Sequence, residues 1–264
     1  MDHSLDRHSL AHRHPAQASQ APQVRRIAAN RPLHWLRLGA RDTLRTPGLS
    51  LGMGLLVAAV GMLLSTVTWK ATYIAPALLG GFLLVGPFLA ITLYGLTRQL
   101  EEGDSVDVRR AWAAVRGNAG SIALFGLLLA MAYIAWERLA AILFAFHYDG
   151  EPIVLSQLLS GFVVGQHLDL LLLFAGTGAL LAAAVFALSV VTAPMLVDRP
   201  VDVVTAVLTS LRCCARNPLP MLAWAACIAA LTLFGFLTLM LGLIFAFPLL
   251  AHASWHAYRE LVED

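Results

Sequence analysis

Residues 48–69 carry no charged side chain, and comparable apolar stretches recur along the chain. That pattern constrains the fold more than any other feature. A helix of roughly 20 mostly apolar residues, rising 1.5 Å per residue, is what crosses a hydrocarbon core about 30 Å thick. Composition agrees: 59% of residues are hydrophobic and 13% are charged, against about 25% charged in an ordinary soluble domain. Twenty glycines and twelve prolines exclude collagen-like and low-complexity chains, and three cysteines cannot build a disulfide framework. A formal net charge of +2 is too small to imply a nucleic-acid partner.

The second apolar run covers residues 73–96 and closes at Arg98, while Lys70 snorkels to the interface between the first two. The third covers 121–146 and carries Glu137 and Arg138, and the fourth covers 168–196. Residues 148–165, with Glu151-Pro152, read as a turn plus a short interfacial helix. Residues 219–251 form a run of roughly 33, about 50 Å as one helix, so two helices divide it near Gly235 to Gly242. The last of them leaves the bilayer through His252, His256 and Arg259. The expected fold is an all-α polytopic membrane protein of about six spans in three hairpins, residues 48–98, 120–196 and 219–259. With six spans, every basic residue of the 18 except Lys70 and Arg138 falls on one side. Arginine and lysine near membrane ends concentrate on the cytoplasmic side, so both termini are expected there.

Residues 1–30 are a different material from the membrane domain at 31–264. They hold His3, His8, His12 and His14 among Ala, Gln and Pro, without the apolar core of a signal peptide. A solvated, disordered cytoplasmic tail is expected, with weak metal binding as the alternative.

A unit recurs before each hairpin. Trp35 to Pro47 contains Arg41, Arg45 and Pro47; Leu208 to Pro218 contains Arg212, Arg216 and Pro218 at matching spacing; Val108 to Asn118, with Arg109 and Arg116, is a weaker copy. Each has arginines on one helical face and Leu, Val or Trp on another. Such a helix lies in the headgroup layer, guanidinium groups on phosphate, so these six arginines are the expected lipid-headgroup contacts. Proline suits the first turn of the span that comes next. Pro87, Pro194 and Pro248 sit in the second arm of each hairpin and are expected to kink it. Gly48 and Gly52, and Gly176, Gly178 and Ala182 to Ala184, have the small-residue spacing of close helix packing.

Several residues invite a chemical reading. Glu137 and Arg138 are either intramembrane polar groups or residues of the outer interface beside Trp136. Adjacent side chains on a helix diverge by about 100°, so each is expected to need a partner elsewhere. His252 and His256 share a helix face and are weak metal candidates; the other reading is a polar cytoplasmic end beside Tyr258 and Arg259. Cys213, Cys214 and Cys227 form no CxxC and read as reduced thiols. The acidic run Glu101, Glu102, Asp104, Asp107 is expected to hold a helix cap at Asp104 or Ser105. No nucleotide loop or hydrolase motif occurs, and neither catalytic residues nor a cofactor are expected.

The stretches Pro32 to Asp42, Gly80 to Ala90, then Tyr94, Arg98, Glu101 and Gly103, and later Thr192 to Arg199 and Pro248 to His252 with His256, Tyr258 and Arg259, carry a resemblance. Over roughly residues 24–262 the chain resembles bacterial inner-membrane proteins grouped as a domain of unknown function and described as predicted integral membrane proteins. The resemblance implies a six-helix inner-membrane protein and no established activity. The function expected is a non-enzymatic scaffold or accessory protein that engages lipid headgroups and other membrane proteins or copies of itself. The alternatives are a small-solute transporter or channel and, behind that, a haem or copper redox subunit, for which the membrane-proximal histidines are too few and lie on opposite sides.

Overall fold

The computed structural model describes residues 22–70, 75–146 and 168–263. Residues 1–21 of the expected tail, with His3, His8, His12 and His14, the link after Lys70, and the turn and short helix expected at 148–165 lie outside the described residues. Residues 22–30, expected to belong to the solvated tail, are instead tied to the bundle: Val24 is buried and bridged to Val262, and Asn217 bonds Arg25 and Ile27.

The described chain forms α1 (Arg31–Arg45), α2 (Pro47–Lys70), α3 (Ala75–Glu102), α4 (Val108–Gly117), α5 (Ala119–Phe146), α6 (Leu168–Ser189), α7 (Thr192–Asp198), α8 (Val203–Arg216), α9 (Pro218–Leu237) and α10 (Leu243–Leu261). Among the described residues the one β contact is an antiparallel bridge between Val24 and Val262. Among the described residues, four stretches are long and apolar enough to cross a membrane: Pro47–Thr66, Ala119–Leu143, Leu172–Asp198 and Pro218–Leu237. They are the first arm of each expected hairpin and the second arm of the middle one. The remaining arms are α3 and α10. In α10 the apolar residues occupy the first half, and His252, Trp255 and Tyr258 in the second half are buried by protein. The chain is an all-α polytopic membrane protein. Its lipid-compatible surface is made by exposed side chains such as Leu55 and Leu63 on α2, Leu127 and Ile134 on α5, and Leu222 and Leu233 on α9. No hydrophobic drive holds such helices together in lipid, so packing and polar contacts must do so.

The repeat read from the arginines is present as three units: α1–α2–α3, α4–α5–α6/α7 and α8–α9–α10. They form a ring. Each short helix packs on the second arm of the preceding unit: α4 on α3, α8 on α6 and α7, and α1 on α10. The second arms α3, α7 and α10 meet one another at the centre. Their contact buries Leu93, Leu96, Met195, Leu196 and Trp255, and Tyr94 stacks on Trp255 with ring centroids 6.5 Å apart.

The three second-arm prolines act differently. At Pro194 the helix breaks: α6 ends at Ser189 and α7 restarts with Pro194 in its first turn. The Ser210 hydroxyl of α8 enters the gap, accepting from the Val191 N–H (3.2 Å) and donating to the Ala187 carbonyl (2.7 Å). This insertion into the helical ladder satisfies the groups that the break leaves open. Pro87 and Pro248 lie inside continuous helices. Pro248 removes the donor that would bond the Ile244 carbonyl. On α2, Gly54 faces that oxygen so closely that a Cβ there would lie 2.1 Å from it. Further along α10, its backbone meets Gly39 of α1, where a Cβ would come within 2.6 Å of the Leu249 carbonyl.

These contacts correct the expected packing stripes. Gly48, Gly52 and Gly176 have nothing within 4 Å of a would-be Cβ, and Ala182 to Ala184 are exposed. Only Gly178 of that set meets a neighbour, the Trp136 ring at 3.2 Å. Spacing alone does not say which helix face meets another. The divide between α9 and α10 falls at 238–242, where Leu239 (φ 52°) and Met240 (φ 69°) adopt left-handed backbone and the Gly242 N–H bonds the Thr238 hydroxyl at 2.8 Å.

Candidate functional site

Each short helix joins its span through one residue with nearly the same backbone geometry: Thr46 (φ −126°, ψ 52°), Asn118 (φ −128°, ψ 30°) and Asn217 (φ −129°, ψ 55°). Pro47 and Pro218 then start α2 and α9, where a missing N–H costs nothing. The junction side chains link units. Asn118 donates to the Leu196 carbonyl (3.1 Å) in α7 of its own unit and to the carbonyls of Arg199 (3.3 Å) and Val201 (3.0 Å) in the segment leading into α8. Asn217 donates to the Arg25 carbonyl and accepts from the Ile27 N–H, both at 2.9 Å, in the segment leading into α1. Thr46 bonds Ser50, whose hydroxyl reaches His252 Nε2 of α10 (2.9 Å each). All three junctions therefore sit at the same end of the bundle.

At that end the central arms carry an ionic hub. Asp198, at the close of α7, accepts from the Tyr258 hydroxyl at 2.6 Å and lies 3.7 Å from Arg98 of α3 and 3.5 Å from Arg259 of α10. Arg199 donates to the Tyr258 oxygen at 2.9 Å. One carboxylate thus joins residues of all three units, and its side chain is 10% exposed. Beside it, His256 bridges Asp42 of α1 (Nε2, 2.6 Å) and Glu101 of α3 (Nδ1, 3.2 Å), and Arg259 stands 3.4 Å from Glu101. Trp35 of α1 donates to Glu260 at 2.6 Å and meets Trp224 edge-on at 5.6 Å.

Electrostatics fixes the state of this hub. Burial alone would lower the His256 pKa, but the hydrogen bonds and charges of Asp42 and Glu101 outweigh it and raise it to about 9. Burial opposes ionisation of Glu101, yet His256 and Arg259 hold its carboxyl below the usual range. His256 is an imidazolium with both ring N–H groups committed. His252 has Nδ1 on the Thr97 hydroxyl (2.6 Å) and Nε2 on Ser50. A metal needs a neutral imidazole lone pair, and the two histidines point to different partners. Among the described residues no group of three His, Cys, Asp or Glu is arranged to hold a metal ion. Because the His256 pKa is raised on folding, its contribution to stability is complete below about pH 6.5 and is lost as pH rises through about 9. Thermal denaturation of the detergent-solubilised protein is expected to show a falling midpoint across that window, and His256→Gln is expected to flatten it.

The six expected lipid-facing arginines divide. Arg41, Arg109, Arg116, Arg212 and Arg216 are exposed; Arg45 is exposed and lies 3.7 Å from Asp42. Exposed apolar side chains accompany them on each helix: Leu33 and Leu44 on α1, Trp112 on α4, Val204, Leu208 and Leu211 on α8. Arg212 and Arg216 also face Arg25 and Arg26 across a groove, two basic residues that no helical pattern in the sequence marks out. The cap of α4 is Asp107, which accepts from the Arg109 N–H at 2.8 Å, and not Asp104 or Ser105; Asp104 instead pairs with Arg110. The helix begins later than the acidic run suggests.

Glu137 and Arg138 pair with each other at 2.8 Å, contrary to the expectation that adjacent residues would not. The long Arg138 side chain, 74% exposed, folds back across the 100° divergence. Eighteen residues into α5, the pair stands about 27 Å along the helix, close to the full apolar thickness. The cysteines are free; burial pushes the Cys213 thiol up to about 12 and the Cys214 thiol to about 11, so neither is an ionised nucleophile at neutral pH.

Residues 74–198, from the start of α3 through α7, match the family model described as Predicted integral membrane protein (DUF2189). The match is narrower than the resemblance seen over 24–262. No curated protein and no solved structure matches the chain.

Proposed function

We propose that this integral membrane protein is a non-enzymatic scaffold of the bacterial inner membrane, with the junction end of the bundle and both termini on the cytoplasmic side. Its ring of short helices grips anionic lipid headgroups there and offers a platform to membrane partners. The observation that carries this reading is the threefold recurrence, on α1, α4 and α8, of exposed arginines beside exposed large apolar residues. A soluble surface has no use for that combination, whereas the headgroup layer satisfies both halves. The central arms support it too: they close on packed Leu93, Leu96, Met195 and Trp255, with their polar ends tied into the Asp198 hub. A solute path would instead need a wet centre, whereas the one break there, at Pro194, is filled by the Ser210 hydroxyl.

The test is lipid retention by the purified full chain. Native mass spectrometry after delipidation and exchange into mixed lipid is expected to show preferential retention of anionic over zwitterionic lipid. Replacing Arg41, Arg45, Arg109, Arg116, Arg212 and Arg216 by Gln is expected to abolish the preference, since each basic group near an anionic surface contributes about 1 kcal/mol. Equal retention of both lipid classes by the unaltered protein would overturn the proposal.

A further inference from the structure

The third unit's short helix takes part in a built basic groove. The segment 22–26 is strapped to the end of α10: Arg25 N–H bonds the Leu261 carbonyl and Glu263 N–H bonds the Gln23 carbonyl, both at 2.9 Å, around the Val24–Val262 bridge. Asn217 fixes the same segment from the α8–α9 junction. Between this strap and the exposed face of α8 lies a groove of about 850 Å³ lined by Arg25, Arg26, Arg212 and Arg216, with Glu263 as the one acidic side chain in its wall among the described residues. Glu263 is taken by Arg25 at 3.3 Å. Among the described residues Arg26, Arg212 and Arg216 form no ion pair. Among the described residues, three guanidinium groups therefore face the groove without a carboxylate partner, on backbone that is held in place at both ends.

We infer that this groove is a specific binding site for a phospholipid headgroup carrying two phosphates. The inference rests on the headgroup-binding reading above and narrows it to one site and one ligand class. Guanidinium forks match phosphate oxygens in pairs, and three free ones exceed what a single phosphate monoanion needs. The groove is also roomy enough for a headgroup, not merely an ion. The lipid origin of the phosphates is argued from α8 itself. At 100° per residue, Val204, Leu208 and Leu211 make an exposed apolar stripe adjoining the Arg212–Arg216 stripe, and Leu219 and Leu222 continue the exposed apolar surface into α9. Acyl chains lie along that stripe while the phosphates occupy the groove.

The experiment titrates full-length protein in phosphatidylcholine nanodiscs with cardiolipin, or with phosphatidylglycerol at matched total charge, reading the bound stoichiometry by native mass spectrometry. Saturable binding of one cardiolipin per chain is expected, with phosphatidylglycerol at least about tenfold weaker. Arg212→Gln/Arg216→Gln is expected to weaken cardiolipin by about tenfold or more, while Arg212→Lys/Arg216→Lys retains most of it. Arg138→Gln, at the opposite end of α5 and outside the ring, should leave it within about twofold. Equal losses at the two sites, or matched binding of the two anionic lipids, would sink the groove proposal while leaving general headgroup attraction intact. Indifference to lipid charge in the unaltered protein would remove both. A further arm adds inorganic pyrophosphate: displacement of cardiolipin by it at stoichiometric concentration would show a site for free phosphates and overturn the lipid assignment.

Discussion

Asp198→Ala is expected to destabilise the folded protein by about 3 kcal/mol or more, the lower end of the cost when a buried ion pair loses one partner. Its carboxylate accepts from Tyr258 and faces Arg98 and Arg259, so truncation removes the one counter-charge that the two arginines share and leaves Arg98 with Glu102 and Arg259 with Glu101 alone. Arg98 and Arg259 are about one-third exposed, which lets water recover part of the loss. Asp198→Asn keeps an acceptor for Tyr258 and is expected to cost less than the alanine variant. Unfolding by sodium dodecyl sulfate from mild detergent, monitored by circular dichroism, measures both. An alanine variant as stable as the parent would show that the hub does not bind the three units together.

A comparable loss, about 3 kcal/mol, is expected from Gly54→Ala, where the added methyl group would overlap the Ile244 carbonyl at 2.1 Å. The obstructing atom is backbone, so no side chain can turn aside and α2 must move off α10. Gly52→Ala is the paired control. It lies on the same helix with nothing within 4 Å, so it is expected to be neutral or to stabilise by up to about 1 kcal/mol through reduced backbone entropy of the unfolded chain. The sign difference between two glycines two residues apart separates close packing from helix propensity in a single detergent titration.

The parts of this fold that a bilayer or a helix period dictates are legible in the sequence. Long apolar runs give the spanning segments, and the matched spacing of Arg41, Arg45 and Pro47 with Arg212, Arg216 and Pro218 gives the repeated unit. What a sequence cannot supply is pairing between distant positions. Gly54 matters because the Ile244 carbonyl freed by Pro248 points at it, a fact that exists only once α2 and α10 are side by side. Arg98, Asp198 and Arg259 each end an apolar stretch, which marks them as rim residues, but nothing local says that they share one carboxylate. Arg25 and Arg26 carry no such mark because they lie before the first helix; their role comes from the strap on Leu261 and Glu263. For Glu137 and Arg138 backbone direction alone misleads, because side-chain length decides the contact.

The ring has a consequence for biogenesis. Synthesis delivers α1 and α2 well before α10, yet α1 packs chiefly on α10, and Trp35 finds both Glu260 and Trp224 only after the third unit exists. These two helices must wait in the membrane, half-partnered, for α10. A nascent polypeptide arrested before residue 243 would lose more than one arm: the opening segment would have nowhere to dock, and quality-control proteases would meet it with its indole and Asp42 uncovered.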